Sequence, residues 1–197
     1  MARVLIATGD AGESFEVLYM YYRLKEAGHE PHIGATTKKA LRLVIHDFEP
    51  DQETYVERPG YRFEADIAFA DANPDDYDGL VITGGRAPEY IRLNTALRAI
   101  VRDFFAKEKP VGAICHAAQV LIAAGVVRDR QVAAYEAMEP DVTAAGGHFQ
   151  DQALVEDGHL VSSRVWPDIW AFSRGFLEQL DRYGVEQVGT NARSLGA

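Results

Sequence analysis

The chain has 197 residues, of which 47% are hydrophobic and 25% charged, and its 30 acidic and 20 basic residues give a formal net charge of −10. A chain of this size can bury a core as one domain without disulfides or metal ions. The acidic balance argues against nucleic acid as a partner, and no apolar run is long enough to span a bilayer. The N-terminal apolar run is too short for a secretory signal, so we expect a cytoplasmic protein.

The first half of the chain alternates between strand and helix patterns. "ARVLIAT" (2–8) predicts a buried strand, a helix follows over 13–27, and "PHIGAT" (31–36) predicts a second strand. Residues 41–69 contain two or three further strand-like runs, with "RPGY" (58–61) as a hairpin turn. This segment is interpreted as a small β insertion.

The alternation of strand and helix patterns then resumes. "DGLVITGG" (78–85) predicts a strand that ends on two glycines, followed by a helix over 88–107. "PVGAIC" (110–115) predicts another strand, and "HAAQVLIAAG" (116–125) a helix that ends at a glycine.

The remaining chain predicts short strands and one last helix. "QVAAY", "QALVED" and "HLVSSR" read as strands, with "EDGH" (156–159) as a hairpin turn, and the last helix covers 167–183. We therefore expect one domain over 1–183 and a loosely ordered tail over 184–197. Alternating strands and helices predict a mostly parallel sheet covered on both faces.

Three predicted strands end in residues that suggest chemistry. Glu13 follows the strand predicted over 2–8, Gly84 and Gly85 end the strand predicted over 78–85, and Cys115 ends the strand predicted over 110–115. Because sites in such sheets form beyond the carboxyl ends of the strands, these residues should converge. A single cysteine also excludes an intramolecular disulfide, and without metal-ligand spacing among the histidines no zinc site is expected.

Cys115 lies at the predicted turn from strand to helix, within A-I-C-H-A. A helix N-terminus favours thiolate over thiol, and the amide of His116 with that of Gly84 or Gly85 could bind an oxyanion. The pattern predicts a thiolate that adds to a C=O group. The alternatives are that Cys115 only packs and Glu13 only stabilises the first helical turn.

The motifs "ITGGRAPEYIRLN", "KPVGAICHAAQVLIAAGV" and "YMYYRLKEAGHE" resemble the ThiJ/PfpI (DJ-1/PfpI) superfamily, over Val4 to about Leu180. The resemblance implies a flavodoxin-like three-layer sandwich, a homo-oligomer (dimer, trimer or hexamer) and no cofactor. It also implies that Cys115 is the nucleophile and that Glu13 hydrogen-bonds the thiol and moves protons. Two departures are Ala117, where the family has glycine, and "VWPD" (165–168), where plant-type members have "GHPE".

Two branches of the family share features with the chain. Residues 45–63 resemble plant-type glutathione-independent glyoxalases, and the short layout resembles PfpI-type intracellular peptidases. By analogy with the second branch, Glu89 would support His116 across a subunit interface. Arg86 is a candidate for substrate binding, although Arg86 and Glu89 could also form only a solvated pair. His46 would line the pocket.

Three functions remain open at this point. The first is a cysteine-dependent, cofactor-free glyoxalase or deglycase acting on 2-oxoaldehydes, which converts methylglyoxal to lactate through a Cys115 hemithioacetal. The second is a cysteine peptidase or amidase with His116 as base. The third is a stress protein without enzyme activity, whose cysteine senses peroxide by oxidation.

Overall fold

A computed structural model describes residues 1–194, apart from the side chains of residues 186 and 188–194. The strands of the described chain are β1 (Arg3–Ala7), β2 (Glu30–Ala35), β3 (Ala40–Asp47), β4 (Val56–Glu64), β5 (Ile67–Ala68), β6 (Gly79–Ile82), β7 (Val111–Ile114), β8 (Gln131–Val132), β9 (His148–Phe149), β10 (Val155–Asp157) and β11 (Leu160–Ser163). The helices are α1 (Ser14–Glu26), α2 (Ala87–Ile91), α3 (Thr95–Ala106), α4 (Ala118–Ala124), α5 (Glu139–Ala144) and α6 (Ile169–Ser194).

The centre of the molecule is a seven-stranded sheet in the order β10-β11-β7-β6-β1-β2-β5. All neighbouring strands are parallel except β10, which forms an antiparallel hairpin with β11. Strands β6, β7 and β11 are buried along their whole length, because their apolar side chains face helices on both sides. The predicted turn at 156–159 is confirmed by this hairpin.

Helices cover both faces of the sheet. Helices α1 and α6 pack together on one face, and α3 and α4 pack together on the other, with α2 and α5 against α4. The expected three-layer α/β sandwich is confirmed. Across the described residues, none of the helices combines the length and the apolar character needed to cross a membrane.

The predicted insertion is the antiparallel hairpin β3–β4, which forms a sheet of its own. Backbone hydrogen bonds fix the base of this hairpin to the loop before α1, from the Val44 amide to the Gly12 carbonyl (2.9 Å) and from the Ala11 amide to the Arg42 carbonyl (2.8 Å). The hairpin therefore stands beside the carboxyl ends of β1 and β6.

The turn expected at 58–61 is wrong. These residues lie inside β4, opposite Val44, where the register shifts by a bulge between Arg42 and Val44. Pro59 is tolerated there because a bulge or an edge strand can spare an N–H donor. A side chain at Gly60 would lie 2.1 Å from the Ser14 hydroxyl, so close packing explains the glycine.

Two helices also differ from expectation. The helix predicted over 88–107 is interrupted, because the Asn94 side chain accepts a hydrogen bond from the Leu97 amide (3.0 Å) and starts α3 anew. The last helix continues through Ser194 instead of ending at 183, so residues 184–194 are helical rather than a loose tail. Residues 195–197 of that expected tail lie outside the described residues, and α5 and β9 had no clear signal in the sequence.

Candidate active site

Cys115 ends β7 in a strained backbone conformation. Its φ is +62°, in the left-handed region that residues with a side chain rarely adopt, and a single turn of 3₁₀ helix (Cys115–Ala117) leads into α4. Both small neighbours, Ala113 and Ala117, are buried. The sharp turn from strand to helix that the sequence predicts is present, with alanines in place of glycines.

The loop after β6 lies against the cysteine. A methyl group added to Gly84 would lie 2.5 Å from Cβ and 3.0 Å from Sγ of Cys115, so only glycine fits there. The amides of Gly85 and His116 point to the thiol and lower its pKa. These two amides can also donate hydrogen bonds to an oxyanion formed at an attacked carbonyl.

The Gly84 amide is not available for that purpose. It donates a hydrogen bond to Oε2 of Glu16 at 2.6 Å. Of the two glycine donors that the sequence left open, the structure therefore leaves Gly85, which has a φ of +70° and at which an added side chain would collide with the Ala11 carbonyl oxygen.

Two buried glutamates lie beside the thiol, and they have different tasks. Glu13 Oε2 accepts a hydrogen bond from the Glu16 amide at 2.8 Å and so caps α1, whereas the Glu16 carboxyl group lies against the Cys115 thiol. The expectation that Glu13 hydrogen-bonds the thiol is corrected accordingly. Because Glu13 already satisfies the end of the helix, the next carboxylate on that face reaches into the site.

Both carboxyl groups bind protons more tightly than usual. Burial, together with the charge of Glu13, raises the pKa of Glu16 to about 8, against the lowering effects of the Gly84 amide and the Cys115 thiol. Burial also raises the pKa of Glu13 to about 7. Glu16 Oε1 has no hydrogen-bond partner among the residues described. A carboxyl group with a pKa near neutrality can both take and return a proton.

The thiol also holds its proton firmly. Burial and the charge of Glu16 raise the pKa of Cys115 well above its ordinary value, and the amides of Gly85 and His116 only partly offset this. The helix N-terminus was expected to favour the thiolate, but α4 begins at Ala118, three residues after the cysteine, and burial outweighs the two amides. Any reaction through the thiolate therefore requires that this proton first moves to a group in contact with the thiol.

His116 is such a group. Its Nδ1 lies 3.3 Å from Cys115 Sγ. Burial, with a smaller contribution from His46, lowers the pKa of His116 to about 4. The imidazole is therefore neutral at physiological pH, so its Nδ1 can accept the thiol proton when Nε2 carries the hydrogen.

Aromatic rings enclose the thiol, which is 3% exposed. The ring of Tyr55 lies 6.0 Å from that of His116 and 5.7 Å from that of Tyr135, and the last two rings are 5.1 Å apart. His46, expected to line the pocket, packs against Tyr55 with ring centroids 4.2 Å apart and planes tilted by 30°. The site therefore has an aromatic wall.

An ion pair connects this wall to the glycine loop. Glu57 on β4 accepts two hydrogen bonds from the Arg86 guanidinium, both at 2.7 Å, and its Oε2 also lies 3.0 Å from His46 Nε2. Arg86, chiefly, lowers the pKa of Glu57 to about 2. The charge of Arg86 thus faces a carboxylate of the hairpin, whereas the sequence suggested a substrate as its partner.

Glu89 does not join the site within one copy of the chain. It is exposed on α2, and none of the ion pairs found among the described residues involves its carboxylate. Its expected role beside His116 needs a second copy of the chain and stays a prediction.

Four residues of the site were missing from the sequence expectations: Glu16, Tyr55, Glu57 and Tyr135. The pair of glutamates three residues apart at the start of α1 was a usable signal, since one carboxylate caps the helix and leaves the other free. Tyr55 and Glu57 come from the hairpin and Tyr135 from the loop after β8, and the positions of both segments depend on tertiary packing.

Comparison with known proteins assigns most of the chain to the family that its motifs resemble. Residues 2–179 match the DJ-1/PfpI family. Deglycase PfpI of Pyrococcus furiosus is 37% identical over 178 residues, which cover 90% of this chain and 99% of that protein. Protein DJ-1 homolog D of Arabidopsis thaliana is 41% identical over 172 residues, which cover 84% of this chain and 44% of that protein.

Solved structures share the fold. A two-domain protein of Anabaena variabilis with DJ-1/ThiJ/PfpI-like and ferritin-like domains superposes with a TM-score of 0.83 at 28% identity, over 92% of this chain and 48% of that one. DJ-1 of Schizosaccharomyces pombe superposes with a TM-score of 0.76 at 17% identity, over 93% and 95% of the two chains.

Proposed function

Because the chain belongs to the DJ-1/PfpI family, we propose that it is an enzyme of deglycase or glyoxalase type, in which the Cys115 thiol adds to the aldehyde carbon of small 2-oxoaldehydes or of their adducts. The observation that carries this proposal is the contact of one strained, enclosed thiol with a neutral imidazole, two free amides and a carboxyl group of raised pKa. Archaeal relatives with 36% to 41% identity are named deglycases, which supports the same reaction style.

The first step is addition of sulfur to the aldehyde carbon. The thiol proton passes to Nδ1 of His116, the new C–S bond forms, and the carbonyl oxygen becomes an alkoxide held by the amides of Gly85 and His116. His116 then returns the proton to this oxygen. The product is a hemithioacetal on Cys115, and no external oxidant or reductant is needed.

The second step moves a hydrogen between two carbons. Glu16, as the carboxylate, takes the proton from the former aldehyde carbon, which gives an enediolate with its charge on the former ketone oxygen. Nδ1 of His116 takes the proton of the neighbouring hydroxyl group and gives it to this oxygen, while Glu16 returns its own proton to the adjacent carbon, which leaves a thioester. Water breaks the C–S bond, so methylglyoxal and water yield lactate and the free thiol.

An adduct of an amine or a thiol can enter the same sequence. Cys115 attacks its carbinol carbon, the amine or thiol leaves with a proton, and the same hemithioacetal results. Glyoxalase and deglycase turnover thus need the same residues in this site.

A peptidase of PfpI type is the second candidate, favoured by the contact of 3.3 Å between Cys115 Sγ and His116 Nδ1. This function would also need Glu89 from a neighbouring copy, and a polypeptide would have to reach a thiol that is 3% exposed. The enclosed thiol favours small substrates, so we rank the peptidase second.

The test is lactate formation from methylglyoxal without glutathione, by the wild-type protein and by Cys115→Ser, which changes one atom. We expect turnover in the wild type and a loss of about a thousandfold or more in the variant. Wild-type protein that alkylates at Cys115 but forms no lactate would overturn the proposal, and so would a Cys115→Ser variant with full activity.

A further inference from the structure

The thiol is covered by a segment that can be distinguished from the rest of the site. The tip of the β3–β4 hairpin, residues 48–55, connects the two strands and carries Tyr55 over His116 and Tyr135. Because Cys115 is 3% exposed with the tip in this position, a substrate can reach sulfur only when the tip moves.

Side-chain contacts hold the tip in place. Phe48 stacks on Trp166 with ring centroids 5.1 Å apart and planes 13° apart, and Tyr55 contacts the rings inside the site. Among the described residues, the hydrogen bonds of the tip stay within the hairpin, from the Gln52 amide to the Glu49 carbonyl and between Glu49 and Arg58. A segment held in this way can open without unfolding the protein.

The segments that carry the two partners of the Phe48–Trp166 stack are themselves fixed by hydrogen bonds. Arg164, two residues before Trp166, binds Asp168 at 2.8 Å and Asp151 at 2.9 Å, which fixes the turn that presents the indole. The base of the hairpin is fixed by its backbone bonds to the loop before α1. The free movement is therefore confined to the tip.

We propose that the tip is a gate over Cys115, latched by the Phe48–Trp166 stack, and that it selects substrates by size. Phe48 is 55% exposed, so this stack stabilises the closed position and contributes little to the core. Tyr55 limits the space above sulfur, and because a larger substrate needs a wider opening of the tip, small unbranched 2-oxoaldehydes are preferred over those with bulky substituents. The gate follows from the geometry alone, whereas its effect on substrate choice rests on the proposed function.

The chain offers a direct readout, because Cys115 is its single cysteine and alkylation therefore reports one site. Opening and closing that is fast compared with alkylation makes the rate proportional to the open population. We expect Phe48→Ala and Trp166→Ala each to accelerate alkylation by iodoacetamide about threefold to tenfold, the range that loss of one aromatic pair corresponds to. The double variant should not exceed the faster single variant, because either change removes the same stack.

The matched control is Trp170→Ala. Trp170 is the other tryptophan, is 56% exposed and has the Arg174 guanidinium over its ring at 5.1 Å, and none of the aromatic pairs found among the described residues joins it to the tip. Its variant should alkylate at the wild-type rate. Wild-type rates in both latch variants, or the same acceleration in Trp170→Ala, would overturn the gate. Phe48→Leu, which keeps an apolar side chain without the stack, serves the same test if an alanine variant does not fold.

Size selection is tested with a bulky maleimide beside iodoacetamide and with phenylglyoxal beside methylglyoxal. Relative to wild type, the alkylation rate and the turnover of the latch variants should increase more with the larger member of each pair. Equal gains for both reagents would contradict selection by size. Faster alkylation without turnover of either aldehyde would reject the proposed function and leave the gate standing, whereas turnover with unchanged alkylation would reject the gate alone.

Discussion

The floor of the site and its roof are held by different kinds of interaction. The floor, Cys115 with Gly84, Gly85 and Glu16, is fixed by backbone conformation and burial at the ends of β6 and β7. The roof is the β3–β4 hairpin: backbone hydrogen bonds fix its base to the loop before α1, but its position over the thiol depends on aromatic contacts and the Glu57–Arg86 ion pair. Changes to the floor should therefore cost both stability and chemistry, while changes to the roof should alter access.

The largest effect is expected from Gly84→Ala. The added methyl group would lie 2.5 Å from Cys115 Cβ, so either the loop or the cysteine must move. We expect a loss of about 1–3 kcal/mol in the free energy of unfolding, measured in urea, together with a large loss of turnover. Gly184→Ala on α6 is the control, because nothing lies near its added methyl group and alanine favours helix. Wild-type stability in Gly84→Ala would contradict the close packing of the floor.

The second effect concerns pH. Glu16 titrates near 4.5 when unfolded and near 8 in the folded protein, so the folded state binds more protons between these values. Stability should therefore fall as the pH rises through this window, and the slope of Tm against pH should be flatter in Glu16→Gln. In Glu13→Gln the plot of Tm against pH should be flatter than that of the wild type only up to about pH 7, the value to which burial raises the pKa of Glu13. Parallel curves for wild type and Glu16→Gln would refute the burial of a titrating carboxyl group.

The smallest effect is expected in the roof. Glu57→Gln keeps an acceptor for His46 and removes the charge that pairs with the half-exposed Arg86. We expect a loss below about 1 kcal/mol in the free energy of unfolding, reduced further by salt. The pKa of Glu57 is lowered to about 2, so its contribution is present above about pH 4.5 and disappears as the pH falls towards 2. A loss as large as that of Gly84→Ala would erase the distinction between floor and roof.

Much of the floor could be predicted from the sequence, because its positions follow from local patterns. Apolar runs of four to seven residues that end on Gly84 or on Cys115 predict buried parallel strands and the edge where their loops meet. The helical periodicity predicted over 13–27 also located the start of α1 to within one residue, but it did not show which glutamate would face the thiol.

The roof could not be predicted in the same way. "RPGY" has the composition of a turn, yet tertiary packing of Gly60 against Ser14 makes it part of a strand. The contacts of Tyr55 with Tyr135 and of Phe48 with Trp166 join residues that are 80 or more positions apart in the sequence. A local sequence pattern does not predict contacts between residues so far apart.

The central claim is that Glu16, and not Glu13, moves the proton between the two carbons of the Cys115 adduct, and the most direct measurement is kcat for methylglyoxal in Glu16→Gln and Glu13→Gln. We predict that Glu16→Gln lowers kcat by about 10²- to 10⁴-fold, as expected for loss of a general base, while Cys115 still reacts with iodoacetamide. Glu13→Gln should lose far less, because its side chain caps α1. A larger loss in Glu13→Gln than in Glu16→Gln would contradict the account.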